Sequence, residues 1–300
     1  TGIRDSRNQI EFSKRFGWDL SNFPSWFTNW SLEPTIMIES KGKSEIESSN
    51  FVTAVTTINR KEYLEQFIDD WDKTRDRSAN RMLIVADDGS TDGTLEWLCD
   101  ELDLEDSRLV VIRNDGLGIA RQTNSIIDYV SSLDFRPDAI FMCNDDIRFL
   151  KEGWDISYFH AMSTSGYDHL VYFNPDWKDP SHNEGSPRFS ELESSCNARD
   201  AMGCFYTLTP RLIERLGFFD EESFPVRGHS HVDYTLRSCR VEANDTQFLY
   251  DISGSNEFIG MIMRDDYKRT HRTLSVWERK VSTSDEFLAK RESILLTEGR

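Results

Sequence analysis

The chain has 300 residues, enough for one large α/β domain with an appendage, and its 38% hydrophobic and 12% aromatic content marks a globular chain, not a disordered one. A formal net charge of -18 excludes non-specific nucleic-acid binding and docking on anionic lipid through a basic face. It leaves room for a local basic pocket that takes a phosphate.

Five scattered cysteines, Cys99, Cys143, Cys196, Cys204 and Cys239, form no C-x-x-C and read as reduced, mostly core thiols of a cytoplasmic protein. No apolar stretch approaches the roughly 20 residues of a membrane span, and there is no signal peptide. The chain starts at Thr1, as a piece cut from a larger multidomain chain would, so an anchor or partner domain can lie outside it.

Residues 1–50 differ from the rest. They carry Trp18, Trp26 and Trp30 among Phe12, Phe16, Phe23 and Phe27, then a polar tract from Glu39 to Asn50 too poor in apolar residues to order itself. We read an N-terminal extension joined by a flexible linker. From Phe51 to about residue 265 the pattern is α/β. Phe51–Thr56, Met82–Ala86, Leu109–Ile112 and Ala139–Cys143 read as strands; Leu64, Phe67, Ile68 and Trp71 form a helical stripe, and a second helix spans Ile119–Val130. Thr91 is the expected N-cap of a helix Leu95–Leu102 that turns Leu95, Leu98, Cys99 and Leu102 to one side. Strands separated by such helices predict a mostly parallel sheet covered on both faces. Asn174–Ser195 reads as a long polar loop, and Ala201–Leu208 as a further strand. Thr209-Pro210 opens a helix that Gly217 closes, and another runs from Ser230 to about Cys239. Residues 266–300 read as a helical tail.

The organising stretch is Met82–Thr94, MLIVADDGSTDGT, an apolar strand ending in Asp87 and Asp88 and a turn. Open α/β sheets bind ligands at that end. Asp also commonly caps a turn there, but the run Ala139–Phe149, ending its strand in Asn144-Asp145-Asp146, repeats the arrangement.

Six segments between residues 51 and 260 agree in order with the family 2-like glycosyltransferases of GT-A (Rossmann-like) fold: VTAVTTINR, ADDGSTDGT, GLGIARQTN, IFMCNDDIRF, AMGCFYTLTPRLIERLGFFDE and GHSHVDYTLR. The resemblance implies that the first strand and turn, with Thr56, Thr57 and Asn59, run along a nucleotide sugar. It implies that Asp88 meets the nucleobase while Asp87 supports the turn, and that Arg121 approaches the diphosphate, although an exposed Arg on an amphipathic helix reads equally well. NDD stands at the D-x-D position. Aligned on Asp146, Asn144 replaces the first acid, so a divalent metal, Mn²⁺ or Mg²⁺, falls to Asp146 with Asp145 as second ligand; such ions take one or two carboxylates and neutralise a diphosphate leaving group. Asp251 and His271 are alternative third ligands.

The acceptor hydroxyl needs a base. Where the family offers Glu-Asp, this chain has Ser230-His231 and then Val232-Asp233. His231 or Asp233 takes that role, with His229 a third candidate; S-x-x-D is also a capping signature, which would leave Asp233 a helix-terminus acid. Trp154 and Trp177 offer either sugar platforms or core packing. The likeness implies inverting transfer to a glycan or glycolipid acceptor by direct displacement, as in polysaccharide biosynthesis. The alternatives are a sugar-nucleotide nucleotidyltransferase, although TTINRKE lacks that class's Gly-rich loop, and a catalytically idle glycan-binding module.

Overall fold

The structure is a computed structural model and describes residues 36–39, 50–78, 80–100, 102, 108–114, 116, 118–172, 189–197, 203–221, 224, 230–241 and 248–262. In chain order the elements are β1 (Ile36–Glu39), β2 (Asn50–Thr57), α1 (Lys61–Thr74), β3 (Asn80–Asp87), α2 (Thr94–Asp100), β4 (Arg108–Arg113), α3 (Ile119–Ser132), β5 (Ala139–Asn144) and β6 (Ile147–Phe149). There follow α4 (Trp154–Ser165), β7 (Leu192–Asn197), β8 (Phe205–Leu208), α5 (Pro210–Leu216), α6 (Ser230–Arg240), β9 (Phe248–Ile252) and β10 (Ile259–Met261).

A six-stranded sheet runs in the order β1-β4-β3-β2-β5-β8. The four strands read from the sequence, β4, β3, β2 and β5, are parallel, and β1 and β8 close the edges antiparallel. Because side chains alternate along a strand, the sheet buries two separate cores. Val52, Ile84, Val110 and Met142 pack with Ile126 of α3, Ile213 of α5 and Val232 of α6. Phe51, Leu83, Val111 and Phe141 pack on the other face with Leu64, Phe67 and Trp71 of α1 and with Trp154 and Tyr158 of α4. The mixed α/β architecture with helices on both faces is the expected one, and all parallel strands end on the same edge, β2 and β3 in register through Thr57 and Asp87.

Some local expectations are corrected. Helix α2 starts at Thr94 and is held by Asp92, whose Oδ1 accepts the Thr94 N–H at 3.2 Å; the Thr91 N–H goes to Asn59 Oδ1 at 2.7 Å, so Thr91 is not the cap. On α2, Leu98 is buried but Cys99 is exposed. Residues 36–39 of the N-terminal extension pair with β4, so that segment is in part a sheet edge. The end of the Asn174–Ser195 loop is strand β7, paired with β9. The aromatic residues from Phe12 to Trp30 and the tail 266–300 lie outside the described residues. No helix among the described residues is long and apolar enough to cross a membrane.

Candidate active site

Two turns at the carboxyl edge of the sheet are sewn together by side chains. After β2 the chain reverses at Asn59, whose φ of 50° is a left-handed conformation that Asn tolerates. Its N–H donates to Ser90 Oγ at 2.8 Å, beside the Thr91 bond already noted. Asp87 is fully buried and accepts the N–H groups of Gly89 (3.2 Å) and Ser90 (3.0 Å) and Arg113 Nη1 at 3.0 Å. Asp88 donates its N–H to the Thr57 carbonyl at 3.0 Å, while its Oδ2 accepts the N–H of Gly118, at the start of α3, at 2.9 Å. Gly118 has a φ of 87°, the region where Gly carries no steric penalty.

The second acidic turn joins β5 to β6. Asp145 and Asp146 are 2% and 1% exposed. Thr57 Oγ1 donates to Asp145 Oδ2 at 2.8 Å, so Thr57 bridges the Asp88 turn and the Asp145 turn. Arg60 lies across both acids, with Nη1 2.7 Å from Asp145 Oδ1 and Nη2 3.3 Å from Asp146 Oδ2. Burial pushes the Asp145 carboxyl up to about 7 despite the pull of Arg60, and neighbouring Asp146 adds to the rise. Asp146 Oδ1 is buried and has no hydrogen-bond partner among the described residues. The Ile262 N–H, just past β10, donates to the Asp146 carbonyl at 2.9 Å.

Beside these turns opens a cleft with an empty volume of about 320 Å³, lined among others by Thr56 of β2, Asn144 of β5, Gly203, Phe219, Ser230 and His231. The His231 ring lies against Gly203: a Cβ there would stand 2.5 Å from Cγ and 2.8 Å from Nδ1. Only a residue without a side chain admits the imidazole. Behind the ring a smaller cavity is bounded by His169, Tyr206 and Thr235. His169 Nδ1 lies 2.9 Å from the Thr207 carbonyl, which can only accept, and its Nε2 lies 2.9 Å from Thr235 Oγ1. Burial pushes this imidazole down to about 4, so it is neutral with Nδ1–H donating.

The candidate residues are thus only partly gathered. Thr56, Asn144 and His231 share the cleft, and Thr57, Asn59, Asp87, Asp88, Asp145 and Asp146 form the adjoining turns. Asp233 is 1% exposed and accepts Arg237 Nε–H at 3.0 Å; Arg237 also donates to the Leu216 and Phe218 carbonyls at 3.1 and 3.0 Å, tying α6 to the end of α5. Arg121 Nε on α3 stands 3.7 Å from Glu221 Oε2. Asp251 is fully buried on β9; its Oδ1 accepts Tyr158 O–H at 2.6 Å and its own chain's Ile252 N–H at 2.9 Å. No group of three His, Cys, Asp or Glu side chains suited to a metal forms among the described residues, so the structure does not join Asp251 to the acid pair. Trp154 is buried in an aromatic cluster, 4.2 Å from Phe149 by ring centres, and is a core residue. His229, His271 and Trp177 lie outside the described residues.

Sequence reasoning passed over Gly203 and His169, and took Arg60, with Lys61, only as a faint echo of the basic residue that nucleotidyltransferases carry after the first strand. Arg60 alone left a signal: it holds the N-cap position of α1, where a cation opposes the helix dipole and needs another reason to be there.

A mostly parallel α/β sheet with acidic turns at its carboxyl edge, beside a cleft lined by His231, is the arrangement of a GT-A fold glycosyltransferase. Residues 53–224, more than half of the chain, match the model of Glycosyl transferase family 2, and the chain belongs to that family. It is 25% identical over 183 residues to an uncharacterized glycosyltransferase, R363, of Acanthamoeba polyphaga mimivirus, covering 60% of this chain and 67% of that one. Solved structures of similar fold include S. aureus TarS 1-349 in complex with UDP-GlcNAc, with a TM-score of 0.52, 13% identity and coverage of 83% of this chain and 71% of that one. GalNAc-T7 with UDP, GalNAc and Mn²⁺ gives a TM-score of 0.54 at 12% identity, covering 73% of this chain and 45% of that chain.

Proposed function

We propose that this glycosyltransferase moves a sugar from a nucleoside-diphosphate sugar, a UDP-sugar in the first instance, to a hydroxyl of a glycan or glycolipid, with inversion at the anomeric carbon. The observation that carries this reading is the convergence at one sheet edge of the Asp88 turn, the buried Asp145–Asp146 pair and the cleft of His231, all hinged on the end of β2. The UDP present in the TarS and GalNAc-T7 complexes supports the choice of nucleotide.

A divalent cation fits the acid pair. Hard carboxylate oxygens suit Mg²⁺ or Mn²⁺, which keep several waters and need one or two protein carboxylates, and the buried Asp146 Oδ1 lacks a partner among the described residues. Asp146 would hold the ion with Asp145 as second ligand, and when bound it supplies neutralising charge for the departing diphosphate. His271 stays a candidate third ligand; Asp251, sealed beneath Tyr158, is the weaker one.

The chain's own residues do the rest. Asp88 orients the nucleobase against the Gly118 turn, and Asp87 keeps that turn in shape. Thr56, Thr57 and Asn59 follow the nucleotide along β2, Asn144 reaches the ribose, and Arg121 pairs with the diphosphate. His231 takes the acceptor proton at Nε2, the ring nitrogen farther from Gly203. Asp233 is already engaged by Arg237 and buried, which favours His231 as the base.

Calorimetric titration of the chain with UDP, GDP, CMP and dTDP, each with Mn²⁺ and again with EDTA, tests the reading. UDP should bind, and more tightly with Mn²⁺. An absence of binding by all four nucleotides removes the proposal.

A further inference from the structure

We propose that Arg60 is a built-in cation that competes with a divalent ion for the Asp145–Asp146 pair: its guanidinium occupies the two carboxylates when no ion is bound and turns away when one enters. The inference rests on the divalent-cation reading of that pair given above.

Its first support is charge arithmetic. Two acids at 2% and 1% exposure face one guanidinium, at 2.7 and 3.3 Å, so with both carboxyls ionised the buried cluster carries a net charge of about -1. A divalent ion in place of Arg60 would balance the acids fully. Both together would leave an excess positive charge in a site with little water to screen it, an arrangement that low-dielectric surroundings penalise heavily. The two cations therefore exclude each other in the same seat.

Local geometry is the second support. Arg60 sits at the N-cap of α1, where its charge opposes the helix dipole, so the residue gains nothing from the helix it begins. Its backbone is fixed: the Arg60 carbonyl accepts the N–H groups of Tyr63 and Leu64, each at 3.0 Å, and the preceding Asn59 is pinned to Ser90 and Thr91. Exchange thus needs only side-chain rotation. The guanidinium also lies 4.3 Å from the Tyr63 ring centre, a cation–π contact that does not depend on the acids. Meanwhile Asp146 Oδ1, which Arg60 does not engage, offers the incoming ion its first ligand.

The consequence is a domain that folds without metal, one guanidinium offsetting part of the charge of its acid pair, at the expense of ion affinity. Direct titration of Mn²⁺ into the full chain, followed by paramagnetic resonance of the free ion, reads this without any transfer assay. Arg60→Gln should bind Mn²⁺ at least about tenfold more tightly than wild type, since one opposing buried charge is removed. It should also melt lower without metal, and gain more in melting temperature when Mn²⁺ is added. Arg60→Lys keeps the charge but not the two-pronged fork and should fall between them, giving a reading even where Arg60→Gln folds poorly. Equal or weaker Mn²⁺ binding by Arg60→Gln, with binding lost in Asp146→Asn, overturns the competition alone. Mn²⁺ binding that Asp146→Asn leaves intact overturns it together with the cation reading of the pair.

Discussion

On one side of the cleft, the turns after β2 and β3 are fixed by directional bonds: Asn59 grips Ser90 and Thr91, Asp87 takes two N–H groups and Arg113, Asp92 ties the first turns of α1 and α2, and Asp88 holds Gly118. On the other side, the His231 ring packs against the bare backbone of Gly203, with His169 behind it. A bonded turn presents a nucleotide with groups already aimed, because each carboxylate has one geometry that satisfies its partners. A ring packed against a glycine depends on the space of the missing side chain remaining empty. We assign the bonded side to the donor and the contact side to the acceptor, and the two should fail differently.

The largest effect is expected on the contact side. His231→Ala should lower kcat by about 10²–10⁴ through loss of the base, while UDP affinity by calorimetry holds. Asp233→Asn should instead weaken the fold by taking the carboxylate from Arg237, which ties α6 to the end of α5, with turnover largely kept below its melting temperature. A variant pair that behaves the other way round reverses the assignment of the base. On the bonded side, Asp87→Ala should cost about 2–3 kcal/mol in urea unfolding, since it removes the buried acceptor of the Gly89 and Ser90 N–H groups and the carboxylate of Arg113, which keeps the Ser90 carbonyl. UDP binding should fall with it. A loss in unfolding free energy below about 1 kcal/mol would mean that the turn keeps its shape without that network.

A pH experiment separates the groups behind His231. His169 is held neutral and pushed down to about 4 from 6.5, so the unfolded chain takes up its proton first as the pH falls. Its contribution is complete above pH 6.5 and is lost between there and about pH 4, a change of about 3 kcal/mol. Burial acts on Asp145 and Asp251 with the opposite sign: both are pushed up to about 7, so they favour the fold in acid and lose that as the pH rises. Comparing wild type with His169→Gln cancels the carboxylates. Between pH 7.5 and pH 4.5 wild type should lose more stability than the variant, by about 2.5 kcal/mol, and equal losses would mean that His169 is not sealed from water.

What the letters disclosed follows the same division. Thr209, Pro210 and Gly217 delimit α5 as read, the Thr209 hydroxyl accepting the Leu212 N–H at 3.1 Å and Gly217 closing the helix at a φ of 70°. The apolar runs of β2 to β5 were equally plain, because a strand buried on both faces is continuous in sequence. The acid turns announced themselves through side chains that bond within a few residues. Thr91 reads as the cap from its place before the helix, but Asp92 accepts the Thr94 N–H and Thr91 bonds Asn59, some thirty residues away in sequence. Strand β7, LESSCN, has no apolar alternation and exists by pairing with β9. Asp251 reads from the sequence as an alternative metal ligand, and Tyr158 on α4 closes it in. Arg60 and Gly203 owe their meaning to partners far along the chain, which no spacing encodes.

The smallest effect gives the sharpest test of seating by contact. Gly203→Ala adds one methyl group, whose carbon would stand 2.5 Å from His231 Cγ and 2.8 Å from its Cβ, so the ring or the Gly203 backbone must shift. Overpacking of this kind costs about 1–3 kcal/mol, while a displaced base should cost about tenfold in kcat. The KM for the donor should hold, because none of the bonds on the Asp87 and Asp88 side involves Gly203 among the described residues. The double variant Gly203→Ala/His231→Ala then decides the cause. If Gly203 acts by seating the imidazole, the double variant is no slower than His231→Ala, since there is no longer a ring to displace. A further tenfold loss in the double variant would place the effect of Gly203 elsewhere, and contact with His231 would cease to explain why this position is a glycine.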